Sequence, residues 1–266
     1  MEKLDKTKIK KYWNKNVSDN YLRSGGPPTL EELSILRHKI EMKRFLKNMS
    51  LKKTFNFLEL GCGSGRYSID IAPMVKKIVA LDFSKKQINQ LKQEILRRKI
   101  KNIIPIYNDM TRFRTKIKFD LIFLSGVTQY IEDDELIKSL RYLKTRLNPN
   151  GIMFTRDSLN SSDTVYVGEI YPCKYRSKKS FISIFEEERF ENIKFFSAYS
   201  FIADGLFRKV ASISFLRKIL FNQCLFYVIE SILVSFDKPL LFLFKKVKRT
   251  NVDAQHLFSI WKNNEE

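Results

Sequence analysis

Residues 54–65, TFNFLELGCGSG, join an apolar run of strand length to a turn dense in glycine. The run reads as a buried strand over 54–60, and the glycines let the backbone reverse sharply before a helix that starts at Arg66. The same alternation continues outward. Pro73 ends the helix, and residues 77–81, KIVAL, form a second buried strand stopped at Asp82. Residues 84–99 follow as an amphipathic helix with Ile88, Leu91, Ile95 and Leu96 on one face. Further strands are predicted at 103–107, 119–124 and 151–156. Between the last two lies a helix over 133–147, whose acidic opening suits its positive end and which stops before Asn148-Pro149-Asn150-Gly151. Five strands alternating with helices predict an α/β fold, a mostly parallel sheet with helices on both faces.

Beyond residue 156 the alternation loosens. A helix over 180–188 and strands over 193–200 and 256–261 bring the sheet to seven strands. Between them, residues 204–252 are too long for a structureless connection in a compact domain and read as a helical insertion before the last strand. Its segment 219–236, ILFNQCLFYVIESILVSF, approaches the length of a membrane span, but Asn222, Gln223 and Glu230 suit one poorly. Two other readings stand beside the span. One is an interfacial helix whose flanking Arg217, Lys218, Lys245, Lys246, Lys248 and Arg249 meet an anionic membrane surface. The other, preferred, is a cap or homo-oligomer surface covered by protein. The expected organisation is an N-terminal helical lid or substrate-side segment (1–50), a core (51–203), the insertion (204–252) and a final core strand with its tail (253–266).

Composition narrows the class. The chain has 266 residues, 44% hydrophobic and 29% charged, well outside the range of intrinsic disorder. A net charge of +20, from 49 Lys and Arg against 29 Asp and Glu, favours encounters with RNA, anionic lipid or other polyanions without choosing among them. Cys62, Cys173 and Cys224 are too few and too far apart for a disulfide framework, and no CxxC pair or histidine cluster suggests a metal site. Because MEKLDKTKIKKYW leads into no apolar run, no signal peptide is read there. The expected location is the cytoplasm, with the inner face of the membrane as a peripheral alternative.

Three acids frame the turn. Glu59 stands just before it, where a carboxylate would repel a pyrophosphate but could accept from an amine. Asp82 ends the second strand, where it can bind a ribose diol, and Asp109 follows the third, within reach of an adenine amino group. Together they describe a nucleoside carrying a cationic amino-acid tail.

At this point the chain resembles the class I S-adenosylmethionine-dependent methyltransferases, with a Rossmann-like sheet, over about residues 45–200. The resemblance rests on FLELGCGSGRYS (57–68), IVALDFSKKQI (78–88), IYNDM (106–110) and FDLIFLSGVTQYIEDDEL (119–136). It implies S-adenosyl-L-methionine as cofactor. Gly61, Cys62, Gly63 and Gly65 would then pass beside its methionine and ribose, Asp82 would hold the ribose hydroxyls and Phe83 would lie on adenine. Asp109 and Met110 would frame adenine, and Ser125 and Gly126, followed by Val127, would lie near the sulfonium. The insertion departs from the family by interrupting its last hairpin.

Methyl transfer from a sulfonium depends mainly on in-line placement, and a base is needed only for an acceptor protonated at working pH. No NPPY-like segment follows strand four, which lowers adenine and glutamine as acceptors. Asp157 and Tyr130 are the candidate catalytic side chains, Asp157 as base or else an ordinary loop acid. Gln129, Arg156, Tyr171, Tyr175 and Arg176 are the candidate acceptor contacts. Tyr12, Trp13 and residues 21–26 form either a lid over the cofactor or a helix packed on the sheet. The function expected is methylation of an oxygen or nitrogen on a small molecule or glycan. The alternatives are an RNA methyltransferase and a nucleoside-binding scaffold without transfer.

Overall fold

In the computed structural model of the protein, the residues described are 3–17, 31–168, 172–200, 206–207, 222–237 and 254–264. Among them, seven strands form one sheet: β1 (Asn56–Leu60), β2 (Lys77–Asp82), β3 (Ile103–Tyr107), β4 (Phe119–Ser125), β5 (Leu147–Leu159), β8 (Phe190–Ser197) and β9 (Gln255–Asn263). Their order is β3-β2-β1-β4-β5-β9-β8. Strands β1 to β5 run parallel, and β9 is antiparallel to both its neighbours. The chain leaves β1 toward β2 on one side and returns to β4 on the other. The carboxyl ends of β1 and β4 therefore flank the point where an open sheet of this kind leaves a crevice.

Burial on both faces explains the near-continuous apolar strands. Phe57, Ile78, Ala80, Phe123, Phe154 and Phe258 point to one side and join Tyr67, Leu91, Ile40 and Phe45. Their immediate neighbours Leu58, Leu60, Val79, Leu81, Ile122, Leu124 and Met153 point to the other and join Leu136, Leu140, Phe181 and Trp261. The first face is packed by α2 (Glu31–Asn48), α3 (Arg66–Ile71) and α4 (Lys85–Arg97), and the second by α5 (Asp133–Lys144) and α6 (Lys178–Glu187). Phe154 is the hub of an aromatic cluster, with ring centroids 4.9 Å from Phe45, 5.2 Å from Phe123 and 5.0 Å from Phe258.

Two features depart from the sequence reading. The predicted stop at Asn148-Pro149-Asn150-Gly151 lies inside β5, where Asn150 takes φ 62° and the register with β4 shifts between Phe119 and Leu121. The turn residues there make an irregularity in an edge of pairing rather than a loop. A small hairpin of β6 (Val165–Val167) and β7 (Cys173–Tyr175), which the sequence did not suggest, sits outside the main sheet.

A helical insertion precedes β9. Its described part is Leu206, Phe207, α7 (Gln223–Leu233) and a 3-10 turn over Val234–Phe236; the remaining residues of 204–252 lie outside the described residues. It rests on α2. Arg44 pairs with Glu230 at 2.7 Å, Lys43 lies 3.7 Å from the Tyr227 ring centroid, and Glu230 also accepts from the backbone N–H of Ser200. Burial raises the Glu230 pKa, and Arg44 opposes the rise. Among the described residues no helix is long and apolar enough to cross a membrane.

Phe154→Ala should destabilise the fold by about 3–5 kcal/mol in urea unfolding, the usual cost of an aromatic ring lost from a packed core. A loss under about 1 kcal/mol would show that the aromatic cluster is not the packing centre. Glu230→Ala strips Arg44 and the Ser200 amide of their partner, so limited proteolysis within 201–253 should accelerate while cleavage within β1 to β5 does not. Unchanged kinetics would mean that this pair does not anchor the insertion.

Candidate active site

The glycine turn is built before anything else in the site. Gly61, Gly63 and Gly65 have φ of 77°, 55° and 90°, a region that side chains strain to enter. The amides of Gly61 and Cys62 donate to the Leu81 carbonyl at 2.8 and 3.0 Å, stitching the end of β1 to the end of β2. A Cβ on Gly61 would meet Val127 Cβ at 3.0 Å and the Ser125 carbonyl at 3.1 Å, and one on Gly65 would strike Leu91 Cδ1 at 2.3 Å. At Gly63 the nearest group is Gln87 Oε1 at 3.8 Å, so that side of the turn faces open space.

Asp82 closes the turn. Its carboxylate accepts from the Gly63 amide at 2.9 Å and the Ser84 amide at 2.7 Å, and burial pushes its pKa up to about 6. Glu59 lies deeper. It is fully buried, accepts from the Ser68 hydroxyl at 2.5 Å and has one oxygen without a partner among the described residues; burial raises it to about 7. Asp109 accepts from the amide and hydroxyl of Thr111 at 2.9 and 2.8 Å, which fixes the segment after β3.

Two cavities that share Gly61, Asp82, Phe83, Val127 and Tyr130 in their walls open at the carboxyl ends of the strands. The larger, about 620 Å³, is walled by Gly61, Asp82, Phe83, Tyr107, Asp109, Met110 and Val127. The smaller, about 140 Å³, is walled by Gly61, Cys62, Gly63, Arg66, Gln87, Ser125, Gly126, Gln129, Tyr130 and Arg156. Helix α1 (Lys6–Lys15) roofs both. Lys6, Ile9, Lys10 and Asn14 face the larger space and Trp13 the smaller. The roof is tied down where the Asn14 side chain accepts from Ser84 Oγ at 3.1 Å and the Leu4 amide donates to Glu132 at 2.8 Å. Trp13 meets the Tyr130 ring edge-on at 5.6 Å. Of the N-terminal residues singled out in the sequence, Trp13 lies on α1 and lines the smaller cavity; residues 21–26 lie outside the described residues.

The structure brings together Gly61, Cys62, Gly63, Asp82, Phe83, Asp109, Met110, Ser125, Gly126, Gln129, Tyr130 and Arg156 on these walls. Glu59, Gly65, Asp157, Tyr175 and Arg176 are on neither. Asp157 was expected at a strand end, but β5 continues to Leu159 and pairs there with β9. Its carboxylate is buried behind the floor, bonded to the Thr128 hydroxyl, with its pKa raised to about 6 by burial. Arg176 is committed to Asp133 and to the carbonyls of Thr128 and Ile131, at 2.8, 2.7 and 2.5 Å. It therefore clamps the turn that carries Gln129 and Tyr130. Tyr175 is half-buried in β7, opposite Val165, and Tyr171 lies outside the described residues.

Sequence reasoning missed Gln87, Tyr107 and the buried Glu41. Glu41 accepts from Arg66, Arg156 and the Tyr67 hydroxyl, each with a contact of 2.7 Å, and the two guanidiniums hold its pKa well below the usual range. Nothing in the periodicity of α2 separates Glu41 from a surface acid.

The walls fit a nucleoside with an amino-acid tail. A carboxylate and an aromatic ring adjoin in the larger cavity, and Gly63 leaves the backbone open to close approach. Trp13 Nε1, Gln87 Oε1 and Gln129 Oε1 are buried around the smaller cavity without partners among the described residues. The combined size suits a small-molecule ligand.

A family model described as a methyltransferase domain matches residues 57–151, the span from β1 into β5. Phosphoethanolamine N-methyltransferase 1 of Triticum aestivum is 29% identical over 133 residues, 49% of this chain and 26% of that protein. The ubiquinone biosynthesis O-methyltransferase of Pelagibacter ubique is 26% identical over 197 residues, 71% of this chain and 80% of that protein. The chain spans only 26–52% of the length of the first curated relatives it matches. A solved S-adenosylmethionine-dependent methyltransferase from Leishmania major shares the fold with a TM-score of 0.61 at 19% identity, covering 71% of this chain and 75% of that one. With its sheet order, glycine turn and acids following the four matching segments, the chain is similar to the class I S-adenosylmethionine-dependent methyltransferases, most directly over residues 57–151.

Proposed function

We propose that the protein transfers a methyl group from S-adenosylmethionine to an oxygen or nitrogen of a small molecule or glycan. The observation that carries this reading is that the larger cavity, with Asp82, Phe83, Asp109 and Met110, shares Gly61, Asp82, Phe83, Val127 and Tyr130 with the smaller one, which Trp13 lines. In this reading Asp82 accepts the ribose hydroxyls, Phe83 and Met110 enclose adenine, and Asp109 lies near its amino group. The turn from Gly61 to Gly63 borders the amino-acid tail. When bound, the cofactor supplies an electrophilic methyl group that needs no further activation.

The chain's own residues then position and desolvate. Trp13 and Tyr130 meet edge-on over the smaller cavity, and the Gln129 amide and the Tyr130 side chain are among its polar groups for an acceptor. Among that cavity's described walls there is no histidine, and Asp82, which this reading gives to the ribose, is the one carboxylate. This favours an acceptor that is already nucleophilic at working pH over one that must lose a proton to a base. Glu59 supports the site from below by holding Ser68 at the start of α3 rather than by reaching the ligand. The α1 roof favours a small acceptor over a nucleic acid, since a duplex would have to extrude its base to enter.

Incubation of the protein with methyl-labelled S-adenosylmethionine and a metabolite and glycan extract tests the proposal. A specific labelled product is expected; incorporation into RNA alone would contradict the small-acceptor reading. Asp82→Ala should weaken S-adenosylhomocysteine binding in calorimetry by about 1.5–3 kcal/mol, roughly ten- to a hundredfold, as charge-assisted hydrogen bonds are lost. Equal affinity would remove Asp82 from the ribose site.

Glu59 generates a pH prediction. Because burial raises its pKa from 4.5 to about 7, the folded chain keeps a proton there that the unfolded chain has released. Stability from this group is therefore full below pH 4.5 and is lost as the pH rises to about 7. In the ligand-free protein, Glu59→Gln should flatten the fall of Tm across that window. A slope identical to that of the parent protein would place the Glu59 carboxyl in a less desolvated setting.

A further inference from the structure

Helix α1 covers both cavities, yet it has little apolar hold on what lies below it. Within the helix only Ile9 is buried, and Leu4, just before its N-cap, is the other buried side chain at that end. The two stand at the positions of a hydrophobic staple, which sets the angle at which the chain enters the helix. The rest of the attachment described is polar and lies mainly at the two ends. At the far end Ser84 Oγ meets the Asn14 side chain at 3.1 Å and the Trp13 carbonyl at 3.3 Å. At the start the Leu4 amide donates to Glu132, and Lys6 pairs with Glu135. An element with so few buried apolar side chains opens more readily than the core, so these end contacts determine how firmly the roof stays down.

Glu132, at the N-cap of α5, is shared. Its Oε1 accepts from the Leu4 amide at 2.8 Å, while Oε2 accepts from the Tyr166 hydroxyl of β6 at 3.0 Å and from Lys174 Nζ of β7 at 3.4 Å. Lys174 is buried, is fixed in turn by Asp133 at 2.8 Å, and stands 5.4 Å from the Tyr166 ring centroid. One carboxylate therefore joins the roof to both strands of the hairpin through charge-assisted bonds. A carboxylate is a rigid planar fork, so a change in what Oε2 binds also turns Oε1 away from the Leu4 amide. Glu132, Tyr166 and Lys174 line neither cavity, which makes any influence on a bound ligand indirect.

We propose that Glu132 is a positioning residue that couples the seating of the β6–β7 hairpin to the closure of α1, and through α1 to retention of the cofactor. S-adenosylhomocysteine leaves when α1 lifts, because the helix roofs both cavities, and the hairpin sets the rate of that step by way of Glu132. The chain next to β7 also braces the turn bearing Gln129 and Tyr130, where Arg176 holds the carbonyls of Thr128 and Ile131. The acceptor-side turn and the cofactor roof are thus held from one element. The inference rests on the methyltransferase reading above.

The test uses the full chain. Dissociation of S-adenosylhomocysteine is followed by stopped flow in the parent protein, Tyr166→Phe, Glu132→Ala and the double variant, and backbone hydrogen exchange is measured in the same proteins without ligand. Release is expected to be about tenfold faster in Glu132→Ala and about threefold faster in Tyr166→Phe. Exchange of the α1 amides should accelerate in both, with exchange in β1 to β5 unchanged. In the Glu132→Ala background Tyr166→Phe should change neither quantity further, since the path from hairpin to roof is already cut. Effects that add, a Tyr166→Phe protein that matches the parent, or exchange that rises throughout the sheet would each overturn the coupling. Should Glu132→Ala fail to fold, Tyr166→Phe, which removes a single hydroxyl, decides alone between acceleration confined to α1 and none. Failure of the parent protein to bind S-adenosylhomocysteine would overturn the methyltransferase reading, and the exchange measurement would still decide whether Glu132 ties the hairpin to α1.

Discussion

The site depends on a backbone constraint at the end of β1. Three alternate residues of the turn, Gly61, Gly63 and Gly65, take positive φ, and two successive amides are spent on one carbonyl of the neighbouring strand. Only glycine meets the first demand without strain, and only a parallel neighbour ending at the same level meets the second. The turn, in return, presents an amide to Asp82 and frees the backbone around Gly63 for a ligand. Side chains at Gly61 or Gly65 would collide with the β4 turn and with α4 respectively, so the same residues that shape the cavity also determine how closely the elements around it pack.

What the sequence disclosed, and what it hid, follows from this local character. A strand buried on both faces and a glycine turn are written in consecutive residues, which is why β1 to β4, the turn and the acids Asp82 and Asp109 were legible from pattern alone. The insertion was legible as an excess of apolar helix, and its Glu230, which argued against a membrane span, finds Arg44 on α2. Contacts distant in sequence left no such trace. The Glu41 cluster joins residues 25 and 115 positions apart, and the β6–β7 hairpin is only three residues per strand. Asp157 illustrates the opposite failure: its place near a predicted strand end looked like a reactive position, and two more residues of pairing with β9 bury it.

The periphery explains how the catalytic side is held. The β6–β7 hairpin delivers Arg176 to two carbonyls and Asp133, while Lys174 of the same hairpin reaches Asp133 at 2.8 Å, so the turn bearing Gln129 and Tyr130 is braced from outside the sheet. On the opposite side α2 carries Glu41 toward the cavity and Arg44 toward the insertion, less than one helical turn apart. One helix thus links the segment that departs from the family to the wall that bears the two arginines.

In the proposed function, the cavity at the carboxyl ends of β1, β2 and β4 is the cofactor site. A crystal structure of the protein with S-adenosylhomocysteine tests it most directly. The ribose hydroxyls are expected on Asp82, adenine between Phe83 and Met110, and the amino-acid tail along Gly61–Gly63 beneath Trp13. A ligand bound elsewhere, or an adenine placed in the smaller cavity beside Arg156, would contradict it.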